Sequence, residues 1–237
     1  MKCIAEYHCH TKYSDGKSTM EENVVFARKM GLKKIGISDH GYKHKGFGVK
    51  YKDYPVMKDE VQRLREKYQD IKIFLGVEAN ILDDKGNIDV DDYIHKYVDY
   101  VMAGYHFGSM PPNLRGLQNH VRNFIKPLKT KEIEYNTNAL VNAMKNNRIF
   151  ILTHPGDKGM VEIEEVAKMA EKTKTVLEIN AHHDNLSLEQ LIKVKNYDIR
   201  FSVGSDAHKC THMRMVSEAI KRAEMADIDA KRIINVI

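Results

Sequence analysis

The 237-residue chain has the length of one large domain, and its 42% hydrophobic and 30% charged residues exclude an intrinsically disordered chain. Its longest apolar runs, such as residues 149–152, are far shorter than the roughly 20 residues that span a bilayer, so we expect no membrane segment. Three cysteines without metal-finger spacing, and a start without an apolar leader, favour a cytoplasmic protein. The net charge of +5 is spread along the chain, which favours an anionic substrate over an extended nucleic-acid surface.

Seven short apolar runs rich in β-forming residues recur along the chain. They cover residues 3–7, 35–38, 71–77, 100–103, 149–152, 176–179 and 200–203. Between them, residues 57–68, 163–170 and 213–223 have the apolar spacing of one helix face. Ser18 with Glu21, and Ser187 with Gln190, have capping-box spacing, which predicts two helix starts.

Alternating strands and helices predict a parallel sheet, because parallel neighbours need a long crossover between them. Seven or eight such units are typical of a closed α/β barrel, although an open, doubly wound sheet has the same alternation. Two stretches, 41–53 and 108–131, fit the alternation poorly and are rich in Gly, Lys, Asn or Pro. We expect both to be long loops over a site.

Polar side chains of the types that can ligate metals follow almost every predicted strand at its C-terminal end. They are His8 and His10, His40, Glu78, His106, His154, Glu178, and Asp206 with His208. The C-terminal ends of parallel barrel strands open on one face, so these distant residues are expected to meet in one pocket. A single histidine after a strand is usually a surface residue, but six of the 12 histidines occupy such places, which indicates metal ligation.

Spacing within these groups supports shared ions. His8 and His10 are two residues apart, so both rings point to the same side of a strand end, and Asp206 and His208 repeat that spacing. Glu78 has two oxygens and would bridge two ions. With Asp15 from the Ser14-Asp15-Gly16 turn there are nine candidate ligands, which suit about three divalent ions of Zn, Mn or Fe.

Substrate-binding residues are predicted in the loops at the open face. Lys12, Arg115 and Lys209 are candidate phosphate-binding cations, and His44 and His120 are candidate lid residues. We expect His182 and His183 to line the pocket. The general acid stays open between a third ion, Asp206, His44 and His120.

Seven motifs that contain these residues occur in order along the chain. They are Glu6-Tyr-His8-Cys-His10 with Ser14-Asp15-Gly16, Ser38-Asp39-His40, Gly76-Val77-Glu78, Gly104-Tyr-His106, Thr153-His154-Pro155, Glu178-Ile-Asn180 and Gly204-Ser-Asp206-Ala-His208. This pattern resembles the PHP (polymerase and histidinol phosphatase) superfamily, particularly its small stand-alone bacterial phosphoesterases.

The resemblance implies one domain over residues 1–237, folded as a distorted (β/α)7 TIM-like barrel with a trinuclear metal centre. It assigns His8, His10, Glu78 and Asp206 to one ion, Glu78, His106 and His154 to a second, and Asp15, His40 and His208 to a third. Asp206, Glu78 and His208 are the expected catalytic residues. Some close relatives carry a histidine where this chain has Asp15, so the third site departs from their pattern.

The predicted function is hydrolysis of small-molecule phosphate monoesters by a metal-bridging hydroxide, without a covalent intermediate. The alternatives within this chemistry are a histidinol-phosphate phosphatase and a nucleotidase or exonuclease acting on phosphodiesters. We do not expect nucleic acid or a membrane as partners, and the oligomeric state stays open. A metal-stabilised scaffold would have lost ligands, whereas an amide or lactone hydrolase uses similar barrels and stays a further alternative.

Overall fold

The computed structural model describes residues 1–237 apart from the side chain of Lys126. Its described part contains seven parallel strands in the order β1 to β7. They are β1 Ala5–Glu6, β2 Lys34–Ile37, β3 Lys72–Asn80, β4 Tyr100–Gly104, β5 Ile151–Leu152, β6 Val176–Asn180 and β7 Phe201–Gly204. The sheet curls into a nearly closed barrel, so the predicted TIM-like α/β fold is confirmed and the open sheet is excluded.

Helices follow the strands as crossovers. They are α1 Met20–Lys29, α2 Tyr54–Lys67, α3 Asp92–His95, α4 Leu114–Phe124, α5 Ile133–Asn146, α6 Ile163–Thr173, α7 Leu188–Val194 and α8 Val216–Met225. Short 3-10 helices cover Tyr51–Asp53, Lys126–Glu132, Cys210–Met215 and Ala230–Arg232. Among the described helices, none is both long and apolar enough to cross a membrane.

The seam between β1 and β7 is closed in two different ways. At the C-terminal end of the strands, the backbone N–H of His10 donates to Ala207, and that of Ala207 donates to His8. Toward the other end, the Asn235 side chain donates to the carbonyls of Ala5 and Val203, 2.8 and 2.7 Å away. The last residues of the chain therefore act as a spacer between the two strands.

The barrel interior below the site is apolar. Glu78, Met102, Ile151 and Val176 are in register across β3 to β6, so their side chains share the inward face. The last three are fully buried and form one cluster. Glu78 thus places a carboxylate in register with three apolar side chains of β4 to β6, and we attribute this position to function.

Two sequence expectations are corrected. The first capping box is formed by Thr19 and Glu22, not by Ser18 and Glu21; the Ser18 hydroxyl instead accepts the N–H of Cys210. The stretch 108–131 contains α4, capped by Asn113, and part of a 3-10 helix, so it is not a continuous loop. The capping box of Ser187 with Gln190 is confirmed.

Candidate metal centre

The nine predicted ligands converge at the C-terminal end of the barrel. Their donor atoms fall into four overlapping groups, within each of which all atoms lie within 4.8 Å of one another. The groups are His10, Asp15, His40 and His208; His8, His154 and Asp206; His8, His10 and Glu78; and His40, Glu78 and His106. Residues spread over two hundred positions therefore meet in one place, as the strand-end argument predicts.

Glu78 lies at the centre of this arrangement. Its Oε1 is 3.0 to 3.2 Å from ring nitrogens of His8, His106 and His154. Its Oε2 is 3.0 Å from Nδ1 of His40. One fully buried carboxylate thus faces histidines from four different strand ends, which is the geometry of a bridging ligand.

Asp15 organises the outer part of the cluster. Its Oδ2 lies 3.2 Å from Nε2 of His208 and 3.7 Å from Nε2 of His40. The loop that carries Asp15 is fixed from below, because the Asp39 carboxylate accepts the N–H of Thr11 and the hydroxyl of Ser14. The turn predicted around Asp15 is therefore held rigidly against the strand end of His40.

Glu178 lies behind the cluster and not within its four groups. Its Oε1 is 2.7 Å from Nδ1 of His8, and its Oε2 accepts the backbone N–H of His154. A Cβ on Gly204 would lie 2.0 Å from Glu178 Oε1, so the neighbouring strand leaves room for this carboxylate only because it has glycine there. Glu178 is thus a positioning residue that directs Nε2 of His8 toward the cluster.

Asn80 has the same role for another histidine. Its side-chain Oδ1 lies 3.0 Å from Nδ1 of His106, while its Nδ2 donates to Asp89 at 2.6 Å. Since Nδ1 of His106 is occupied in this way, Nε2 is the ring nitrogen that faces Glu78.

Two of the ligand positions have unusual backbone conformations. His154 and Asp206 follow β5 and β7 with φ angles of 27° and 51°, in the left-handed region that non-glycine residues rarely adopt. Such strain costs about 1 to 3 kcal/mol per residue and persists where the surroundings enforce it, most often at functional sites. Here it turns both side chains back over the barrel mouth.

Burial and neighbouring charges shift the pKa values of the clustered side chains strongly. Burial opposes ionisation of Glu78, but the surrounding histidines outweigh it and hold its pKa well below the usual range. Burial likewise disfavours the charged form of His40, yet the Asp15 and Glu78 carboxylates raise its pKa to about 10. In His106 burial dominates and lowers the pKa to about 3. In the metal-free protein, protonated histidines such as His40 therefore balance the charge of the carboxylates.

The donor set fits divalent metal ions. Buried ligand atoms lack a hydrogen-bond partner among the described residues, and they include Nε2 of His8, both ring nitrogens of His10, Oε2 of Glu78 and Oδ1 of Asp206. Leaving such groups unpaired costs about 1 to 3 kcal/mol each, so their concentration in one cluster calls for ligands. Imidazole nitrogens and carboxylate oxygens without a thiolate suit Zn, Mn or Fe.

A cavity of about 250 Å³ opens above the cluster. Its described lining comprises Asp15, His40, His44, Phe47, Glu78, His106, Phe107, His154, Lys158, His182, His183, Asp206 and His208. It thus includes the predicted residue His44, together with His182 and His183. Lys158 was not singled out by sequence, although it lies four residues after His154 in the loop beyond β5.

The other predicted substrate-binding residues lie elsewhere. The described lining does not include Lys12, Arg115 or His120. Arg115 is paired with the buried Glu132 at 2.7 Å, and the Tyr105 hydroxyl lies 2.6 Å from Nδ1 of His120. Arg115 and His120 therefore have structural partners outside the cavity, and Lys209 is likewise not part of the described lining.

A larger cavity of about 590 Å³ lies toward the opposite, N-terminal end of the barrel. Aromatic side chains such as Tyr7, Tyr100 and Phe150 line it. None of the four ligand groups found among the described residues includes a residue of its lining. The volume of a cavity therefore does not identify the reactive site here; the position of the ligand cluster identifies it.

Known proteins share both the sequence pattern and the fold. A model of the PHP domain matches residues 6–182. A probable phosphatase of Caldanaerobacter subterraneus subsp. tengcongensis is 30% identical, over 99% of this chain and 88% of that protein. One of Thermoanaerobacter sp. (strain X514) is 31% identical, over 99% and 91%. Histidinol phosphate phosphatase from Lactococcus lactis, solved with zinc, L-histidinol and phosphate, superposes with a TM-score of 0.68 at 15% identity, over 97% of this chain and 95% of that one.

Fold and site together define a barrel-type, metal-dependent phosphoesterase. The chain belongs to the PHP domain family, as its motifs predict. The expectation of an enzyme of the phosphatase class is confirmed through its relatives, which are named probable phosphatases.

Proposed function

We propose that this chain hydrolyses phosphate monoesters of small molecules, using about three divalent ions held by the nine ligands. The observation that carries the proposal is the position of Glu78, whose two oxygens face histidines from four strand ends. One ion would not need so many donors, since a single catalytic zinc takes about three protein ligands.

Within this proposal the three ions are divided as the family pattern implies. His8, His10, Glu78 and Asp206 would hold one ion; Glu78, His106 and His154 a second; Asp15, His40 and His208 a third. Three of the four spatial groups are subsets or near matches of these sets, and the fourth places His154 beside His8 and Asp206. The shared contacts support neighbouring ions with common carboxylates.

Divalent ions held by these residues would lower the pKa of bound water, so that a hydroxide nucleophile is available at neutral pH, and would offset the charge on phosphoryl oxygens. Residues next to the ligands orient them for this reaction. Glu178 and Asn80 orient His8 and His106 beforehand, so little reorganisation is needed when the substrate binds. Asp206, Glu78 and His208 are the side chains that we propose act directly at the reacting group.

Lys158 is the cation that we propose for the phosphate. Its side chain lines the cavity, is about one-third exposed and pairs with Asp157 beside it. An ammonium group on a flexible stem would reach a phosphoryl oxygen from the cavity wall while the ions bind the others. His44, stacked on His40 with 4.9 Å between ring centroids, is proposed to close the other side.

Histidinol phosphate is a second candidate substrate. The histidinol phosphate phosphatase of Lactococcus lactis, solved with L-histidinol and phosphate, shares this fold over nearly the whole chain. At 15% identity the likeness concerns the fold, so this ester is one substrate to test among others. A nucleotidase or exonuclease activity stays a further candidate.

The test compares three chromogenic substrates with protein reconstituted in Zn, Mn or Fe. We expect release of p-nitrophenol from p-nitrophenyl phosphate, little from bis(p-nitrophenyl) phosphate and none from a p-nitroanilide. Faster turnover of the bis-ester would favour a phosphodiesterase, and hydrolysis of the anilide alone would contradict the proposal. Metal-free protein provides the blank.

A further inference from the structure

The two loops that follow β2 and β4 are joined above the ligand cluster. The N–H of Lys45 donates to the carbonyl of Gly108 at 2.8 Å, and the N–H of Met110 donates to Lys43 at 3.2 Å. Gly108 has a φ of +97°, and a Cβ there would lie 2.9 Å from the His44 ring, so glycine is needed where the loops meet. This junction fixes the segments that carry Phe47 and Phe107.

Phe47 and Phe107 form the apolar part of the cavity wall. Within the described lining they are the two purely hydrocarbon side chains among histidines, carboxylates and Lys158. The ring of Phe47 lies 5.4 Å from that of His44, yet half of this residue remains exposed. The ring of Phe107 packs edge-on against Phe124 at 5.5 Å. Both rings are held in place by neighbours and still present apolar surface to the cavity.

The rest of the wall disfavours a cationic group. Asp157, the neighbour of Lys158 in the chain, is paired with Lys158 and, at 3.2 Å, with Nδ1 of His183. Among the described lining residues the carboxylates are Asp15, Glu78 and Asp206, and all three face histidines of the cluster. A positively charged leaving group would therefore find no free carboxylate among the described lining residues.

We infer that the site selects phosphate monoesters whose leaving group is an uncharged, apolar ring. The phosphate would lie on the cluster beside Lys158, and the ring would contact Phe47 and Phe107, where edge-to-face and offset contacts between rings are favourable. The cavity of about 250 Å³ is at the small end for ligand sites, so one ring is the expected size. This inference rests on the proposed phosphomonoesterase function, and it disfavours histidinol phosphate, whose leaving group carries an ammonium.

The experiment measures kcat/KM for 2-phenylethyl phosphate and for n-propyl phosphate in the metal-reconstituted protein. Both esters release a primary alkoxide of similar basicity, so their ratio reports contact with the ring and not leaving-group reactivity. We expect a preference of about tenfold for the phenylethyl ester, the lower part of the range for apolar pocket contacts, because Phe47 is half exposed. A third ester, 2-aminoethyl phosphate, is expected to be the poorest of the three.

Variants then locate the preference. Phe47→Ala and Phe107→Ala are each expected to lower the ratio, mainly through KM for the phenylethyl ester, and the double variant to bring it near one. Leu114→Ala, which removes an exposed apolar side chain on α4 outside the cavity lining, is the matched control and should keep the wild-type ratio. Metal content and thermal unfolding of each variant confirm that the site is intact.

Equal kcat/KM values for the two esters in the wild type, or a preference that survives in the double variant, would overturn the inference while leaving the phosphomonoesterase function standing. A preference for 2-aminoethyl phosphate would also overturn it. Failure to hydrolyse any of the three esters would instead overturn the proposed function, and this inference with it.

Discussion

Oε1 of Glu178 lies 2.7 Å from Nδ1 of His8, and the same imidazole presents its Nε2 to Glu78 at 3.2 Å. The carboxylate therefore fixes which ring nitrogen faces the cluster. A carboxylate partner also makes the opposite nitrogen more basic and hence a stronger metal ligand.

Glu178→Gln is expected to weaken metal binding and activity by about 10- to 100-fold, the range for partners that orient metal-bound histidines. The amide retains the size of the side chain but not its charge. Competition with a chelator of known affinity, together with kcat/KM, measures the effect. Glu189→Gln on α7, an exposed glutamate paired with Lys193, is the control and should match the wild type.

Glu78→Ala is expected to remove metal and activity together while preserving the fold. Orienting partners alone contribute up to about 100-fold, so loss of a shared ligand should lower kcat/KM by more than that. The apolar layer of Met102, Ile151 and Val176 below the site is untouched, and far-UV circular dichroism should be unchanged. The exposed Glu66→Ala serves as control. Wild-type activity in Glu78→Ala would refute the assigned site.

Metal binding is expected to release protons at pH 7. The neighbouring carboxylates raise the pKa of His40 to about 10 despite burial, so the metal-free protein holds His40 protonated at neutral pH. An ion requires the deprotonated ring, and its apparent affinity should therefore rise as the pH increases toward 10. Titration calorimetry in two buffers of different ionisation enthalpy counts the protons. The same heat in both buffers would contradict this coupling.

Lys158→Met is expected to raise KM for a phosphomonoester and the inhibition constant of inorganic phosphate by about tenfold, with a smaller effect on kcat. A charge-assisted contact with phosphate supports this magnitude, reduced here because the side chain is partly exposed. Lys168→Met on α6 removes an exposed lysine paired with Glu165 and should change neither constant. Equal constants for the wild type and Lys158→Met would remove Lys158 from the phosphate site.

The barrel and the ligand cluster could be predicted from sequence because both depend on local order. Each ligand such as His40 or His106 stands just after its own strand, and parallel strands bring all their C-terminal ends to one face. The positions of the strands in the sequence are therefore enough to predict that these ligands converge, and no long-range contact has to be known. Asp15, which stands where some close relatives have a histidine, also follows His8 and His10 closely in the chain, so its position near them is predictable from sequence.

Residues whose role depends on distant partners were harder to predict. Glu178 lies near the end of its strand, where a metal ligand would be expected. Its contact with His8 and the space over Gly204 show that it lies behind the cluster. Helix α4 lies in a stretch whose Gly, Lys, Asn and Pro content predicts a loop. Its buried side carries Gly116, Asn119 and Asn123, whereas its apolar residues such as Leu114 and Phe124 are exposed, so no apolar core-facing pattern marks it. Nothing in the sequence distinguishes Lys158 from other loop lysines, and only the folded barrel places it in the cavity lining.

The most direct test of the account is a crystal structure of zinc-reconstituted protein with anomalous diffraction at the zinc edge, combined with elemental analysis of the same preparation. We expect about three zinc ions per chain, at least two of them bound by Glu78, with His8, His154 and Asp206 also coordinating. Fewer than one ion per chain after reconstitution, or ions bound away from Glu78, would contradict the proposed metal centre.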